Sequence, residues 1–351
     1  MNILNSTVKL IGAPDRTTLE RAQQRLDCLT KPQGSLGKLE ETARRVAGIT
    51  GTLSPSLAKK VIIIAAADHG VTAENVSAFP GAVTPQMVHN FLNGGAGINV
   101  LARQMGAEVI VVDAGVAADF NGVSGLVNRK IGYGTKNIAA GPAMTEEEAI
   151  RSLEAGIEIA LEQIEKGAGM LGTGEMGIGN TTASSAIVSA VTGADIAAVT
   201  GRGTGIDDGM LAHKIAVIRR ALAVNAPDGA DGMDTLRKLG GFEIGVLAGV
   251  FLAGASQRVP VVIDGFISGA AALIANAIEP KSKEFMMASH CSVECGHRVT
   301  LDFLGLKPLL ELDLRLGEGT GAALGFWLIE SSMKLLNEMA TFKDAGVSGK
   351  L

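Results

Sequence analysis

The chain has 351 residues, of which 47% are hydrophobic and only 3% aromatic, with 46 glycines and a formal charge of −5. That length suits two domains and a substantial core, and an aliphatic, glycine-rich mixture suits an α/β protein with buried parallel strands. The absence of a basic stripe argues against nucleic acid as a partner, and three cysteines (Cys28, Cys291 and Cys295) supply no disulfide framework.

The N-terminal stretch "MNILNSTVKLIGAPDRTTLERAQQRLDCL" lacks the apolar run of a signal peptide, so a soluble cytoplasmic protein is the expectation. Within it, "TTLERAQQRLD" (17–27) has helical spacing, with Leu19, Ala22 and Leu26 on one face and Thr17 or Thr18 as N-cap. Three later segments share one design: "KKVIIIAAADHG" (59–70), "AEVIVVDAGVA" (107–117) and "VPVVIDGFISGAAALIA" (259–275). Each runs through β-branched residues into Asp and then Gly, Ala-Gly or His-Gly. Apolar strands alternating with helices predict a parallel sheet covered on both faces. Weaker strands are expected at "AGMLGTG" (168–174) and "EFMMASH" (284–290). The longest apolar tract, "IGVLAGVFLAGA" (244–255), is short of a membrane span. A C-terminal helical pattern occupies 322–342, and the two termini are placed to pack as a small helical unit.

In parallel sheets ligands bind beyond the carboxyl ends of the strands. Asp68, His69, Asp113, Glu175, Asp264 and His290 should therefore gather near one rim. Any one of these acids reads equally well as a cap for the following turn; together they point to a site.

"GTGEMGIGN" (172–180) contains G-x-G-x-x-G, but the strand before it is poor and Asp195 begins its segment rather than ending it. Both features argue against a dinucleotide fingerprint. What remains is an anion site of small residues at a helix start, with Glu175 pointing into it. "TGRGTGIDDGMLAHK" (200–214) combines a glycine-rich turn with Lys214, which suits a phosphate, although a plain surface loop leading into a helix reads as well. No P-loop pattern occurs. "SHCSVECGH" (289–297) has two His and two Cys, but their spacing fits neither a zinc finger nor a ribbon, and Ser292 and His290 read better as hydrogen-bonding groups.

"LRLGEGTGAALG" (314–325) holds Glu318 between glycines that let a ligand approach closely. Under an apolar ligand its pKa would rise toward that of a general base. An ordinary helix-start acid is the equal alternative.

Read together, "LTKPQGSLGKLE" (29–40), "AAADHGV" (65–71), "TPQMVHNFLNGGAGINVLA" (84–102), "GEMGIGNTT" (174–182), "GRGTGIDD" (201–208), "DGFISGAAAL" (264–273) and "LRLGEGTGAAL" (314–324) resemble the nicotinate-nucleotide–dimethylbenzimidazole phosphoribosyltransferases of cobalamin lower-ligand assembly. These stretches keep the family's order along nearly the whole chain. The resemblance implies transfer of phosphoribose from nicotinate mononucleotide to 5,6-dimethylbenzimidazole, or to another lower-ligand base, or a protein that binds these molecules without turnover. It implies a Rossmann-like parallel sheet flanked by helices over 40–325, a small helical domain from 1–39 and 326–351, a homodimer, and neither metal nor organic cofactor. It further implies Glu318 as general base, with Glu175 beside the developing ribosyl cation. Met176, Gly177, Gly179, Asn180, Gly203, Thr204, Gly205, Lys214 and Ser292 would hold the nucleotide. Phe79, Gln86, Met87 and Leu316 would line the pocket of the aromatic base.

Overall fold

The structure is a computed structural model that describes residues 2–203 and 205–348. Strands β1 (Lys60–Ala67), β2 (Ala107–Gly115), β3 (Leu126–Asn128), β4 (Met170–Met176), β5 (Val261–Ile263) and β6 (Met286–Ala288) form a parallel six-stranded sheet in the order β3-β2-β1-β4-β5-β6. Every residue of β1 is buried. Helices cover both faces, so both alternating sets of side chains must be apolar, and "KVIIIAAA" shows no period of two. The chain runs outward from β1 to β3 and then returns to β4. That reversal opens a crevice between the carboxyl ends of β1 and β4, where a parallel sheet of this order takes its ligands.

All five expected strands form. The edge strand β3, with only three residues, was too short to show a pattern. The segment read as a poor strand, 168–174, is central to the sheet. Gly172 and Gly174 weaken its β signal, but they are needed for packing: the helix Thr320–Glu338 starts directly against β4. A methyl group on Gly172 would lie 2.9 Å from the Phe326 ring, and one on Gly174 would overlap the Glu318 carbonyl. The G-x-G therefore lies within a strand rather than in a phosphate-binding turn.

The first expected helix spans Arg16–Cys28, and its N-cap is Asp15 rather than Thr17 or Thr18. The Thr18 N–H donates to Asp15 Oδ1 at 2.6 Å, which places both threonines inside the first turn. The C-terminal helix starts two residues earlier than expected and ends at Glu338. Met339 is extended, and Thr341 forms an antiparallel bridge with Leu29. Arg25 clamps the same junction, Nε donating to the Leu336 carbonyl at 2.6 Å. The apolar tract 244–255 lies in the helix Phe242–Ser256, buried from Phe242 to Ala255 between the sheet and the helix Glu146–Glu165. No helix among the described residues is long and apolar enough to cross a membrane.

Because Gly174 and the Glu318 carbonyl are both backbone in a close-packed core, neither can yield cheaply. Gly174→Ala should lower stability by about 1–3 kcal/mol or more. Gly12→Ala, with open space around it, should stay within about 0.5 kcal/mol. Denaturant midpoints measure both.

Candidate active site

A cavity of about 440 Å³ opens beyond the carboxyl ends of β4, β5 and β6. One wall is apolar: Phe79, Val83 and Met87 on one side, with Ile178, Phe266 and Leu316 around them. Phe79 and Leu316 stand half exposed at its mouth, 51% and 59%. The floor is acidic, with Glu175 and Glu318, and the far end carries Asn180, Thr181, Gly203, Ser292, Glu294 and Arg315.

Glu318 owes its position to three consecutive left-handed residues, Gly317 (φ 82°), Glu318 (φ 64°) and Gly319 (φ 96°). Glycine takes this conformation freely, whereas for glutamate it costs about 1–2 kcal/mol. The backbone is held by Asp264, at the end of β5. Its carboxylate accepts from the N–H groups of Gly319 (3.1 Å), Gly321 (2.7 Å) and Ala322 (3.3 Å), at the amino end of the helix Thr320–Glu338. Glu318 Oε2 accepts from the Ile98 N–H at 3.2 Å, at the start of the helix Gly97–Met105. Burial raises the Glu318 pKa, the Ile98 contact opposes that, and the negative charge of Asp264 adds to it. The result is a carboxylate with one oxygen tethered and a stronger basicity than an exposed glutamate.

Glu175, the penultimate residue of β4, is buried, and Asn180 donates to its Oε2. Burial first, then the charges of Asp264 and Glu243, push its pKa up to about 8. Gly317 lies so close to Glu175 Oε1 that a side chain there would overlap it. The same turn thus seats both carboxyl groups.

Lys214, on the helix Asp208–Asn225, is 1% exposed and donates from Nζ to Thr181 Oγ1 at 2.7 Å. Burial lowers its pKa to about 8, against the pull of Glu294. Thr181 belongs to the first turn of the helix Asn180–Thr192, so a cation and a helix amino end converge. Arg315 Nη1 donates to the Gly203 carbonyl at 3.2 Å and also lines the cavity. The neighbouring acids have local duties: Asp207 caps the helix through the Met210 N–H at 2.8 Å, and Asp208 pairs with Arg202.

Of the residues expected in the site, Phe79, Met87, Glu175, Met176, Gly177, Asn180, Gly203, Ser292, Leu316 and Glu318 all line this one cavity. Lys214 stands behind Thr181. Gly179 shapes the turn beneath, in a left-handed conformation against Thr72 and His69. Gly205 is exposed in its loop, Gln86 is exposed on the helix Val83–Leu92 outside the cavity wall, and Thr204 lies outside the described residues. Of the six rim residues, His290 lines the cavity with Glu175, and Asp264 lies behind them. Asp68 and His69 line a smaller neighbouring hollow. Asp113 caps its own turn through the Val116 N–H at 2.9 Å and pairs with Lys130 at 3.0 Å. His69 is bound to the buried Glu243, Nε2 to Oε1, at 2.6 Å.

Thr181, Glu294 and Arg315 were not singled out from the sequence. Thr181 lies inside the 174–182 motif and Arg315 inside the 314–324 motif, and Glu294 sits in the 289–297 loop, so each is marked only by its place in a quoted stretch. No group of three or more His, Cys, Asp or Glu among the described residues is arranged to hold a metal ion.

The elevated Glu175 pKa makes stability depend on pH. The native state keeps a proton that the unfolded chain, near 4.5, has lost, so stability falls as pH rises from about 4.5 to about 8. Glu175→Gln should remove up to ~1.4 kcal/mol per pH unit of that slope and leave the variant relatively more stable at the alkaline end, as read from melting temperatures across pH.

The family model described as DBI_PRT, phosphoribosyltransferase, matches residues 11–347. A nicotinate-nucleotide–dimethylbenzimidazole phosphoribosyltransferase of Desulforamulus reducens is 57% identical over 349 residues, covering 99% of each chain. One from Chloroflexus aggregans is 58% identical over 350 residues, covering 100% of this chain and 99% of the relative. The crystal structure of CobT from Thermus thermophilus superposes with a TM-score of 0.92 at 46% identity, covering 95% of this chain and 100% of that one. With sheet, cavity and full-length similarity in agreement, the chain belongs to the nicotinate-nucleotide–dimethylbenzimidazole phosphoribosyltransferase family of enzymes.

Proposed function

We propose that the enzyme transfers phosphoribose from nicotinate mononucleotide to 5,6-dimethylbenzimidazole, giving α-ribazole 5′-phosphate and nicotinate. The observation that carries this reading is Glu318, a basic carboxylate on a strained glycine turn beside an apolar slot. A neutral benzimidazole in the slot between Phe79, Met87 and Leu316 presents its N–H to Glu318. As its other nitrogen bonds to ribose C1, the proton passes to Glu318 and no cation builds on the incoming base. The glycosidic electron pair leaves with the pyridinium nitrogen, which neutralises that ring nitrogen and makes a strong general acid unnecessary. Attack opposite the leaving group turns a β nucleotide into an α product. Glu175, when ionised, faces the positive charge that develops at C1. The 5′-phosphate is read by Lys214, Thr181 and the helix amino end at Asn180.

Supporting features extend to the setting. The contacts of Arg25 with Leu336 and of Leu29 with Thr341 support a small helical domain built from 1–39 and 326–351. The exposed apolar side chains of Phe79 and Leu316 at the mouth, and of Val293 (51%), support a homodimer in which a second copy shields them. Free thiols at Cys28, Cys291 and Cys295 fit a reducing cytoplasm.

The direct test is incubation with nicotinate mononucleotide and a panel of bases, followed by detection of nicotinate and α-nucleotides. Failure to ribosylate any base would sink the catalytic reading. Glu318→Gln should lower turnover by roughly 10²-fold or more with nucleotide affinity near normal. Wild-type kcat/KM for the nucleotide should decline above about pH 8, where Lys214 gives up its proton. Lys214→Met should cost about 10- to 100-fold in that parameter, the scale of a hydrogen bond to a charged group.

A further inference from the structure

One buried pair of titratable groups lies beside the site and takes no part in the proposed bond changes. His69 follows the end of β1 and is buried, and Glu243 is buried in the first turn of the helix Phe242–Ser256. An ionised carboxylate only accepts, so His69 Nε2 donates to Glu243 Oε1, at 2.6 Å. The backbone of His69 is fixed as well. Its carbonyl accepts from the Thr72 N–H at 3.1 Å and from Thr72 Oγ1 at 2.8 Å, inside the short turn Gly70–Glu74. With its backbone held at the end of β1 and its ring tip tied to a helix start, the imidazole is a rigid strut.

The strut presses on the turn that follows β4. A methyl group on Gly177 would come within 3.4 Å of His69 Cδ2, and one on Gly179 within 3.3 Å of its Cβ. At Gly241 a methyl would overlap His69 Cε1. The side chain therefore fills the space between residues 177–179 and the start of the helix Phe242–Ser256, where packing leaves it no room to shift. Glu175 comes just before this turn and Asn180 ends it. The Asn180 N–H donates to the Gly177 carbonyl at 3.1 Å, and its side chain donates to Glu175 Oε2. The orientation of Glu175 thus depends on Asn180, and the place of Asn180 depends on a turn seated on His69. Glu243 stands near enough for its charge to be felt at Glu175, and the bond from His69 satisfies one oxygen of that second buried acid.

We propose that His69, clamped by Glu243, is a positioning residue for phosphoribosyl transfer: it fixes the 177–180 turn and, through Asn180, the carboxyl group of Glu175. Neither His69 nor Glu243 lines the cavity, so both act on the reaction through the turn. A carboxylate that faces charge developing at ribose C1 must be held in place beforehand, because its stabilisation is realised in the transition state. Loss of the strut therefore costs turnover rather than nucleotide binding. The cation that reads the 5′-phosphate, Lys214, is carried by a separate helix, Asp208–Asn225.

This inference rests on the transfer reaction proposed above, and the test separates the two. Nicotinate release at varied nicotinate mononucleotide gives kcat and KM. His69→Leu should lower kcat about 10- to 100-fold, the scale of a misplaced reacting group, and leave KM within about threefold. His69→Gln, whose amide N–H can donate to Glu243 in place of Nε2, should restore most of that kcat. If His69→Leu alone does not fold, the double variant His69→Leu, Glu243→Met removes the pair without leaving a buried charge. It should show the same low kcat at a near-wild-type melting temperature. In an Asn180→Ala background the change at His69 should cost no more than about twofold, because the contact it acts through is gone. Folded variants that keep the wild-type kcat, or losses at His69 and Asn180 that multiply, would overturn the assignment while the reaction stands. A wild type that releases no nicotinate with any base would remove the reaction, and this inference with it.

Discussion

The site depends on one carboxylate that stands behind the lining of the cavity. Asp264, carried to the rim by β5, accepts three backbone N–H groups at the start of the helix Thr320–Glu338. Those groups have no partner within the helix, and the helix dipole favours a negative charge there. Through them Asp264 holds the left-handed turn at 317–319 against Gly174. Without that anchor, nothing would oblige a glutamate to adopt a positive φ with its side chain turned into the cavity. The strain at Glu318 is sustained by β5, β4 and two helix ends together.

The electrostatics follow from the same crowding. Glu175, Glu243, Asp264 and Glu318 are all buried around the rim; the charges of Asp264, Glu243 and Glu318 make Glu175 harder to ionise, and that of Asp264 does the same to Glu318. The cluster is tolerable because its members are satisfied in different ways. Asp264 has its backbone donors, Glu243 has His69, Glu175 has Asn180 and an elevated pKa, and Glu318 has the Ile98 N–H. An acidic floor of this kind favours a ligand with positive charge, which a pyridinium nucleotide supplies before reaction and a ribosyl cation during it. At the other end Lys214 and the helix amino end favour the opposite sign.

Much of the fold was legible because a strand buried on both faces leaves an unbroken apolar run, and β1, β2 and β5 each lead into an acid followed closely by glycine. β4 reads as a poor strand for a physical reason. Gly172 and Gly174 depress its β signal, yet they are there because a helix end packs within a methyl's width of the strand. Asp15 is not distinguished as the cap in sequence because Thr17 and Thr18 are equally good capping residues, and a displacement of two or three residues is invisible to periodicity. In the site, residues inside glycine motifs could be picked out one by one, since only a few uses of G-E-G or G-R-G exist. Thr181 and Arg315, although inside such stretches, and Glu294 do not stand out in this way, because their significance lies in which groups they face across the cavity.

The sequence by itself determined five of the six strands, the helices Arg16–Cys28 and Thr320–Glu338 to within a few residues, and, through several motifs in family order, the class of enzyme. These are properties of short stretches, set by local conformational preference and by burial of apolar side chains. Only the tertiary structure decided which strand-end acids share a cavity. Asp113 and Asp264 look alike in sequence, each an Asp after a β-branched run. One caps its own turn and pairs with Lys130, while the other anchors a helix 55 residues further on. The difference is a matter of long-range contact: the order of strands in the sheet brings β5 under the amino end of the last helix and leaves β2 outside it.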